Sequence, residues 1–207
     1  MPVDQKTAVA FLAVAALAAG AVLSHVILKA NRTVSAQTTI YPTPRPLPDF
    51  CLTDHEGNAF CDDQLAGHWT LMFFGFTHCP DICPMTLSTL ANILRSSDDD
   101  GIKSQPGVVL VSVDPMRDTP EQLSTYLNYF DPRFKGITGD LTEIQKLAAA
   151  LGVGYRYAAG DKEGDYTVEH TAALFLIGPD TAVRALFQPP HRAESLGRDI
   201  DLVLESK

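Results

Sequence analysis

Apolar and polar positions follow patterns along the chain that are typical of an α/β domain. Residues 69–76 and 108–113 are continuous apolar runs of strand length, as expected of strands buried on both faces of a sheet. From Pro84 onward, apolar side chains recur at the spacing of one helix face, which predicts a helix directly after the first strand. The other predicted elements are a hairpin over 50–60, helices that begin near 119 and 140, a hairpin of strands 172–177 and 183–187, and a last helix over 193–204.

Capping residues predict where two of these helices begin. Thr119 is a predicted N-cap, followed by Pro120 at the first helical position and by Gln122 three residues after the cap. Asp140 begins the same pattern for a short helix that we expect to end at Gly152.

The order of the elements predicts the fold class. Two strand–helix units followed by a hairpin and a final helix indicate an α/β layered domain. A loop with two cysteines between the first buried strand and its helix is the layout of a thioredoxin fold. By this analogy we predict a thioredoxin-like domain over residues 47–207.

An apolar segment at the N-terminus predicts a membrane anchor. Residues 7–28 carry no formal charge when His25 is neutral, and roughly 18 such residues suffice for a helix to cross the hydrocarbon core of a bilayer. We therefore interpret residues 1–28 as an N-terminal membrane anchor that contains a single transmembrane helix. The alternatives are a cleaved signal peptide, with residues 34–36 as the cleavage site, and a buried core helix.

Residues 29–46 follow as a proline-rich linker. Pro42, Pro44 and Pro46 favour an extended backbone, so we expect this linker to act as a stiff spacer between the anchor and the domain.

Composition limits the partners of the protein. The 207 residues carry a formal net charge of −9, and Lys and Arg form no cluster in the sequence, which argues against nucleic acid as a partner. An acidic surface fits a cationic partner or a metal ion better.

Four cysteines form two pairs along the sequence. Cys51 and Cys61 lie nearly opposite each other across the first predicted hairpin, where they are either disulfide-bonded or two unpaired side chains. Cys79 and Cys83 each precede a proline, which disfavours a regular helical turn between them and predicts a tight loop with Cys83 at or beside the N-cap. A helix N-terminus stabilises a thiolate, whereas the neighbouring Asp81 acts against it.

Two cysteines separated by three residues suit a soft metal ion. Thiolates select copper(I), zinc or iron–sulfur centres. A four-thiolate zinc site or an iron–sulfur cluster would also need Cys51 and Cys61, which lie too early in the chain to converge easily. Two sulfurs and one imidazole form a more natural ligand set for copper.

Five histidines outside the predicted anchor are candidates for the third ligand. Three of them are interpreted as solvated surface side chains: His55, His68 and His191. His78 adjoins Cys79, so both would have to fold back onto one ion. His170 stands just before a predicted strand, and we expect residues 155–167 to form a mobile loop that carries it to the cysteines. The residues alone leave the choice open.

Three segments of the sequence resemble the Sco/SenC family of copper chaperones. They are FFGFTHCPDICP at 73–84, VDPMRDTP at 113–120 and EHT at 169–171, in the order and spacing of that family behind a single membrane anchor. The resemblance extends over residues 47–205.

The resemblance implies a ligand set and a function. In that family two cysteines of a CPxxCP motif and a later histidine bind one copper ion, which corresponds here to Cys79, Cys83 and His170. The implied function is a metallochaperone that delivers copper to the CuA centre during cytochrome c oxidase assembly. The implied partners are the oxidase subunit that carries the CuA site, an upstream copper donor protein and a thioredoxin-like reductant.

The resemblance also implies a location. The domain of the family faces the periplasm or the mitochondrial intermembrane space, and its anchor lies in the inner membrane. The N-terminus lacks the Arg-rich, acid-free character of a mitochondrial transit peptide, so we expect a single-pass protein of a bacterial inner membrane with its main domain in the periplasm. The charges beside the span, with Lys29 and Arg32 after it, do not by themselves favour this orientation.

Two other functions would use the same cysteines. A thiol–disulfide oxidoreductase would reduce the cysteines of the copper target through Cys79 and Cys83, which leaves enzymatic activity open, although we do not expect it to be the main function. A peroxiredoxin-like peroxidase would need an arginine beside the thiolate, for which Arg117 is the candidate.

Four more residues have a structural and a functional interpretation. Asp114 and Asp118 serve either turn formation and capping, which we favour, or a network that orients the metal loop. Met85 and Met116 are soft sulfurs, but we expect them to pack in the core.

Overall fold

A computed structural model of the chain describes residues 14–24, 33–99, 105–159 and 166–205. The chain divides into two compact units, Met1–Val34 and Ser35–Lys207. In the first unit residues 14–24 are helical, and the rest of the predicted anchor lies outside the described residues. Within the described parts of the chain, no helix has both the length and the apolar character that a membrane crossing requires. The transmembrane helix therefore stays a prediction.

The second unit alternates strands and helices along the chain. Its strands are β1 (Thr38–Pro46), β2 (Cys51–Asp54), β3 (Ala59–Cys61), β4 (Thr70–Gly75), β5 (Gly107–Ser112), β6 (Lys135–Thr138), β7 (Tyr155–Ala159), β8 (Tyr166–His170), β9 (Leu174–Ile177) and β10 (Ala182–Phe187). Its helices are α1 (Ile82–Asp99), α2 (Pro120–Asn128), α3 (Leu141–Leu151) and α4 (Ala193–Glu205), with a short 3-10 turn at Asp62–Leu65.

Eight of these strands form one mixed sheet. Their order is β1-β10-β9-β4-β5-β6-β2-β3, with parallel pairing of β4 with β5 and of β5 with β6. The crossovers between these parallel strands contain α1 and α2, as strand–helix units require. The predicted α/β class is confirmed.

The central strand β4 separates two hydrophobic cores. All six of its residues are buried, and successive side chains of a strand point to opposite faces of the sheet. Met72 and Phe74 belong to the core that also contains α3 residues, whereas Leu71 and Phe73 belong to the core formed with α1, α2 and α4. Helices thus cover both faces of the sheet, and the loop after β4 leaves from its centre.

The capping predictions for α2 and α3 are confirmed. The Thr119 side chain accepts a hydrogen bond from the Gln122 amide at the start of α2. Asp140 accepts hydrogen bonds from two amides at the start of α3, which ends at Gly152 in the left-handed conformation with φ 70°.

The predicted linker over residues 29–46 is shorter in the structure, because Thr38–Pro46 form a strand. β1 pairs antiparallel with β10, with Thr38 opposite Phe187 and Pro46 opposite Ala182. Proline lacks an N–H donor and is tolerated in a sheet mainly at its edge, and β1 is the edge strand. The same prolines that suggest a free spacer are therefore compatible with pairing on one side.

The stretch over residues 155–167, predicted to be a loop, contains paired strands. β7 and β8 form a separate two-stranded antiparallel sheet in which Tyr155 lies opposite His170. Residues 160–165 between them lie outside the described residues. The strand β6 was also not predicted, since it has only four residues. His170 therefore stands at the end of a strand.

The two cysteines of the first hairpin form a disulfide. Asp62 donates its amide to the carbonyl of Phe50, which places Cys51 and Cys61 in the next, non-hydrogen-bonded pair, where the Cα atoms of antiparallel strands lie closest. Their Cα atoms are 4.1 Å apart, and the two sulfurs are bonded. Of the two alternatives left open by the sequence, the disulfide is the observed one.

Candidate metal centre

The loop between β4 and α1 carries the first candidate ligand. The Cys79 amide donates to the carbonyl of Phe76 at 3.2 Å, which closes a tight turn directly after the strand. α1 then begins at Ile82, so Cys83 is the second residue of the helix, whereas the prediction placed it at or beside the N-cap. Pro84 fits there because the first amides of a helix have no partner within the helix.

Gly75 gives Cys83 the space it occupies. Cys83 is 1% exposed, and a Cβ atom built on Gly75 would lie 2.8 Å from its Sγ atom and 2.9 Å from Cδ1 of Leu110. A side chain at position 75 would therefore displace the sulfur. Glycine in a strand interior often marks such a close approach.

The β8 strand brings His170 to the two cysteines. One ligand atom from each of Cys79, Cys83 and His170 lies within 4.8 Å of the others. Nε2 of His170 is 3.5 Å from Sγ of Cys83. Both cysteines are free thiols, Cys79 half-buried and Cys83 buried. The structure thus brings together all three residues that the sequence suggested as ligands.

The backbone and a phenylalanine orient the His170 ring. Its Nδ1 atom is 3.2 Å from the carbonyl oxygen of Thr171, which requires Nδ1 to carry the proton and donate it. Nε2 then presents its lone pair toward the cysteines. The ring of Phe76 packs edge-on against the imidazole, with ring centres 5.9 Å apart.

The two thiols differ in acidity because they interact with each other. The hydrogen bond from Cys83 lowers the pKa of Cys79 to about 4, against burial, which raises it. The backbone amides of Asp81 and Cys83 lower the pKa of Cys79 further. The same thiol contact, together with burial, raises the pKa of Cys83. These opposite shifts favour ionisation of Cys79 while Cys83 keeps its proton.

Comparison with known proteins identifies the family. The SCO1/SenC family model matches residues 41–205. The chain belongs to the SCO1/SenC family. A protein from Stutzerimonas stutzeri that is named as copper-binding is 38% identical over 172 residues, which cover 83% of each chain. The mitochondrial SCO2 homolog of Homo sapiens is 35% identical over 73% of this chain, but the match spans only 57% of the human protein.

Solved structures of Sco proteins share the fold. The copper-bound crystal structure of ScoI from Arabidopsis thaliana has a TM-score of 0.72 and 31% identity, covering 78% of this chain and 99% of that one. Yeast Sco1 with copper bound has a TM-score of 0.73 and 28% identity, covering 79% and 91%. The predicted thioredoxin-like α/β fold is thereby confirmed.

Among the described residues, the histidines other than His170 lie outside the ligand cluster of this Sco/SenC protein. Nδ1 of His78 is 3.0 Å from Oγ1 of Thr77, and its side chain is about half exposed. His191, predicted to be solvated, is partly buried between α1 and β10, and this burial lowers its pKa. His55 is also partly buried, and its Nδ1 accepts from the Gly136 amide at 3.4 Å.

The two aspartates of the VDPMRDTP segment combine both interpretations. The carbonyl of Asp114 accepts the amides of Arg117 and Asp118 and closes the predicted turn, whereas the two side chains form hydrogen-bond networks. Both side chains are fully buried. Asp118 accepts from the hydroxyl of Thr77 at 2.6 Å and from that of Ser112 at 2.6 Å. Asp114 accepts a hydrogen bond from Nε of Arg117, so the guanidinium of Arg117 makes a structural contact. The Asp118 carboxylate is thus hydrogen-bonded to the loop at Thr77, two residues before Cys79.

The two methionines near the site are exposed, so the prediction of core packing is wrong. Met85 is 59% and Met116 is 80% exposed. Met85 follows Cys83 by two residues in α1, where a helix turns by about 200° and points it away from the buried sulfur. Met116 lies at the tip of the turn between β5 and α2.

Three residues that shape the site were not predicted from the sequence: Gly75, Thr77 and Tyr166. Gly75 carried a usable signal, because an isolated glycine in a strand pattern indicates close backbone approach. Thr77 and Tyr166 carried no local signal, since their partners lie 41 and 52 residues away in the sequence.

Proposed function

We propose that this protein binds one copper ion through Cys79, Cys83 and His170 and delivers it to the CuA centre during cytochrome c oxidase assembly. The observation that carries this proposal is the meeting of two free thiols and one imidazole within 4.8 Å. Relatives whose solved structures contain copper support it.

The chemistry of the three side chains suits copper. Thiolates prefer copper(I), and imidazole accepts both copper oxidation states. Cys79 is already a thiolate at neutral pH, so it binds the cation without first losing a proton. His170 presents Nε2 in the tautomer that can ligate.

The difference in burial between the two sulfurs suggests how copper leaves. Cys79 is half-buried, whereas Cys83 is 1% exposed. An incoming thiolate of the oxidase subunit therefore meets copper from the Cys79 side and replaces that ligand first. Cys83 and His170 hold the ion until the partner supplies further ligands.

Substitution of single histidines tests the ligand set. We expect His170→Ala to lower the affinity for copper(I) by at least 10-fold, because removing even groups that only orient a ligand typically costs 10- to 100-fold. His78→Ala is the matched control, since His78 adjoins Cys79 but lies outside the cluster. The measurement is copper content after anaerobic loading, with chelator competition and thiolate-to-copper charge-transfer bands. Equal affinity of the His170→Ala and wild-type proteins would reject the ligand set.

Delivery is tested separately from binding. The copper-loaded domain is mixed with the metal-free soluble domain of the oxidase subunit, and CuA formation is followed by its absorption spectrum. We expect transfer from the wild-type protein and none from Cys79→Ser. Binding without transfer would leave a copper carrier with a different recipient.

The second candidate function is a thiol–disulfide oxidoreductase that acts on the cysteines of the copper target. The observation that favours it is the thiolate of Cys79 beside the protonated Cys83. Cys79 would attack a disulfide of the target and displace one thiolate. Cys83 would then attack the mixed disulfide, releasing the second target thiol and leaving a Cys79–Cys83 disulfide for a thioredoxin-like reductant. Unimpaired disulfide exchange in His170→Ala, together with unchanged copper binding, would favour this function over the first.

We further propose that residues 1–28 anchor the protein in a bacterial inner membrane, with the domain in the periplasm, where it meets an upstream copper donor. The Cys51–Cys61 disulfide supports this location, because such bonds persist in oxidising compartments. Protease treatment of spheroplasts should degrade the domain. A domain that is protected until the inner membrane is opened would contradict the orientation.

A further inference from the structure

The hairpin that carries His170 is attached to the loop between β5 and α2. His170 is the last residue of β8, and Tyr166 is its first. The hydroxyl of Tyr157, on the paired strand, donates to the carbonyl of Val113 at 2.9 Å. Because a two-stranded hairpin is at best marginally stable by itself in water, contacts of this kind determine where His170 stands.

Three side chains make the densest set of these contacts: Asp114, Arg117 and Tyr166. The Tyr166 hydroxyl donates to Oδ1 of Asp114 at 2.7 Å, and Arg117 pairs with Oδ2 of the same carboxylate. Nη1 of Arg117 donates to the Tyr166 carbonyl at 3.0 Å, and its guanidinium lies 3.8 Å from the centre of the Tyr166 ring. Burial and the Asp114 carboxylate raise the pKa of Tyr166 to about 12, so the phenol keeps the proton that it donates.

The same loop is also hydrogen-bonded to the segment that carries Cys79. Asp118 accepts the hydroxyl of Thr77 at 2.6 Å and its amide at 3.1 Å. Asp114 and Asp118 are four residues apart and both are fully buried. One short loop is therefore bonded to the cysteine segment through Asp118 and to the histidine hairpin through Asp114.

We propose that Asp114, Arg117 and Tyr166 form a clamp that positions His170 against Cys79 and Cys83. The clamp rests on the proposed copper function and deepens it, because these residues do not touch the ligand atoms and act through the hairpin. Charge-assisted hydrogen bonds and a stacked guanidinium fix both the distance and the direction of the hairpin. Copper binding then does not have to order the third ligand, which keeps the affinity high.

Tyr166→Phe tests the clamp with a minimal change. It removes the hydroxyl bond to Asp114 and keeps the ring under Arg117. We expect the affinity for copper to fall by about 10-fold, the lower end for groups that orient a ligand. We also expect the copper(II) protein to show altered charge-transfer bands and nitrogen hyperfine coupling. Tyr129→Phe, an 85% exposed tyrosine at the end of α2, is the matched control.

A double-mutant cycle separates positioning from general destabilisation. In a His170→Ala background, Tyr166→Phe should cause no further loss of copper affinity, because the clamp acts through the missing imidazole. Arg117→Lys is a second variant that keeps the charge beside Asp114 but loses the planar contact with Tyr166, and we expect the same spectral change. Wild-type affinity and spectra in Tyr166→Phe, or equal losses with and without His170, would overturn the clamp.

A metal-free measurement distinguishes failure of the clamp from failure of the copper function. Amide hydrogen exchange of residues 166–170 should accelerate by several-fold in Tyr166→Phe and stay unchanged in Tyr129→Phe. A wild-type protein that takes up no copper would refute the proposed function, and the exchange result would then decide the clamp. Unchanged exchange in Tyr166→Phe would reject it.

Discussion

A single methyl group at Gly75 should disturb the proposed metal centre without replacing any of its ligand residues. The Cβ of an alanine there would lie 2.8 Å from Sγ of Cys83 and 2.9 Å from Cδ1 of Leu110. Both distances are shorter than Cβ atoms keep from their neighbours in proteins, and ordinary van der Waals contact begins at 3.4 Å. Because both neighbours are buried, neither can swing into solvent.

The size of the effect follows from these distances. To reach ordinary contact, the sulfur and the methyl group must separate by about 0.6 Å, whereas a functional site tolerates about 0.5 Å of displacement. Overpacking of a buried site costs about 1–3 kcal/mol of folding free energy. For a domain of this size we expect the melting temperature to fall by roughly 2–12 °C.

The control is the same substitution at another crowded glycine. A Cβ on Gly136 would lie 2.8 Å from Cδ1 of Leu127 and 3.1 Å from Cβ of Leu123, between β6 and α2 and away from the ligands. Gly136→Ala should therefore lose a comparable amount of stability. Chelator competition should show a copper affinity that falls by about 10-fold for Gly75→Ala and stays at the wild-type value for Gly136→Ala.

Two results would refute this reasoning. Equal copper affinities of Gly75→Ala and Gly136→Ala would mean that the position of the Cys83 sulfur does not control binding. A Gly75→Ala protein with the melting temperature of the wild type would mean that the strand and the first turn of α1 move apart freely.

Three other changes test separate parts of the molecule. In the metal-free protein, the rate of alkylation of Cys79 should persist as the pH is lowered to about 5 and fall only near the pKa of about 4, because the thiolate is the reactive form. A midpoint of the alkylation rate near the ordinary thiol pKa of about 8.5 would contradict this. Arg133 lowers the pKa of Asp131, so the carboxylate stabilises the fold above its unfolded pKa of about 4 and this contribution disappears as the pH falls through the folded value. Melting temperatures of Asp131→Asn and wild type should thus differ at pH 7 and converge in acid, whereas a constant gap would reject the linkage. Replacing Cys51 and Cys61 together by serine should lower the free energy of unfolding by roughly 3 kcal/mol, because the disulfide closes a loop with sequence separation 10. Copper affinity should stay unchanged. A change in copper affinity would show that the hairpin contributes to the site.

Local patterns in the sequence predicted the elements around the site and its candidate ligands. The apolar run of β4, the caps at Thr119 and Asp140, and the glycine that ends α3 depend on neighbouring residues, so they can be read along the chain. The cysteine segment was recognisable because its prolines restrict the backbone within a few residues. Cys79 and Cys83 therefore needed no tertiary information.

Features that depend on distant partners were missed or misinterpreted. Prolines in residues 38–46 suggested a spacer, yet pairing with β10, more than 130 residues later, makes this segment a strand. Met116 is hydrophobic by type, but its exposure depends on how the turn after β5 meets the rest of the domain. Such outcomes follow from packing, which local periodicity does not encode.

The choice of the third ligand divides sequence from structure most clearly. The chain by itself determined that a cysteine pair stands at the junction of a buried strand and a helix, because that junction is local. It left His78 and His170 both open, since a histidine 87 residues beyond Cys83 can reach the thiols only through the path of the backbone between them. Only the tertiary structure decided which imidazole lies at the thiols, because the β7–β8 hairpin packs against the loop after β5 and thereby carries His170 to within 3.5 Å of the buried sulfur.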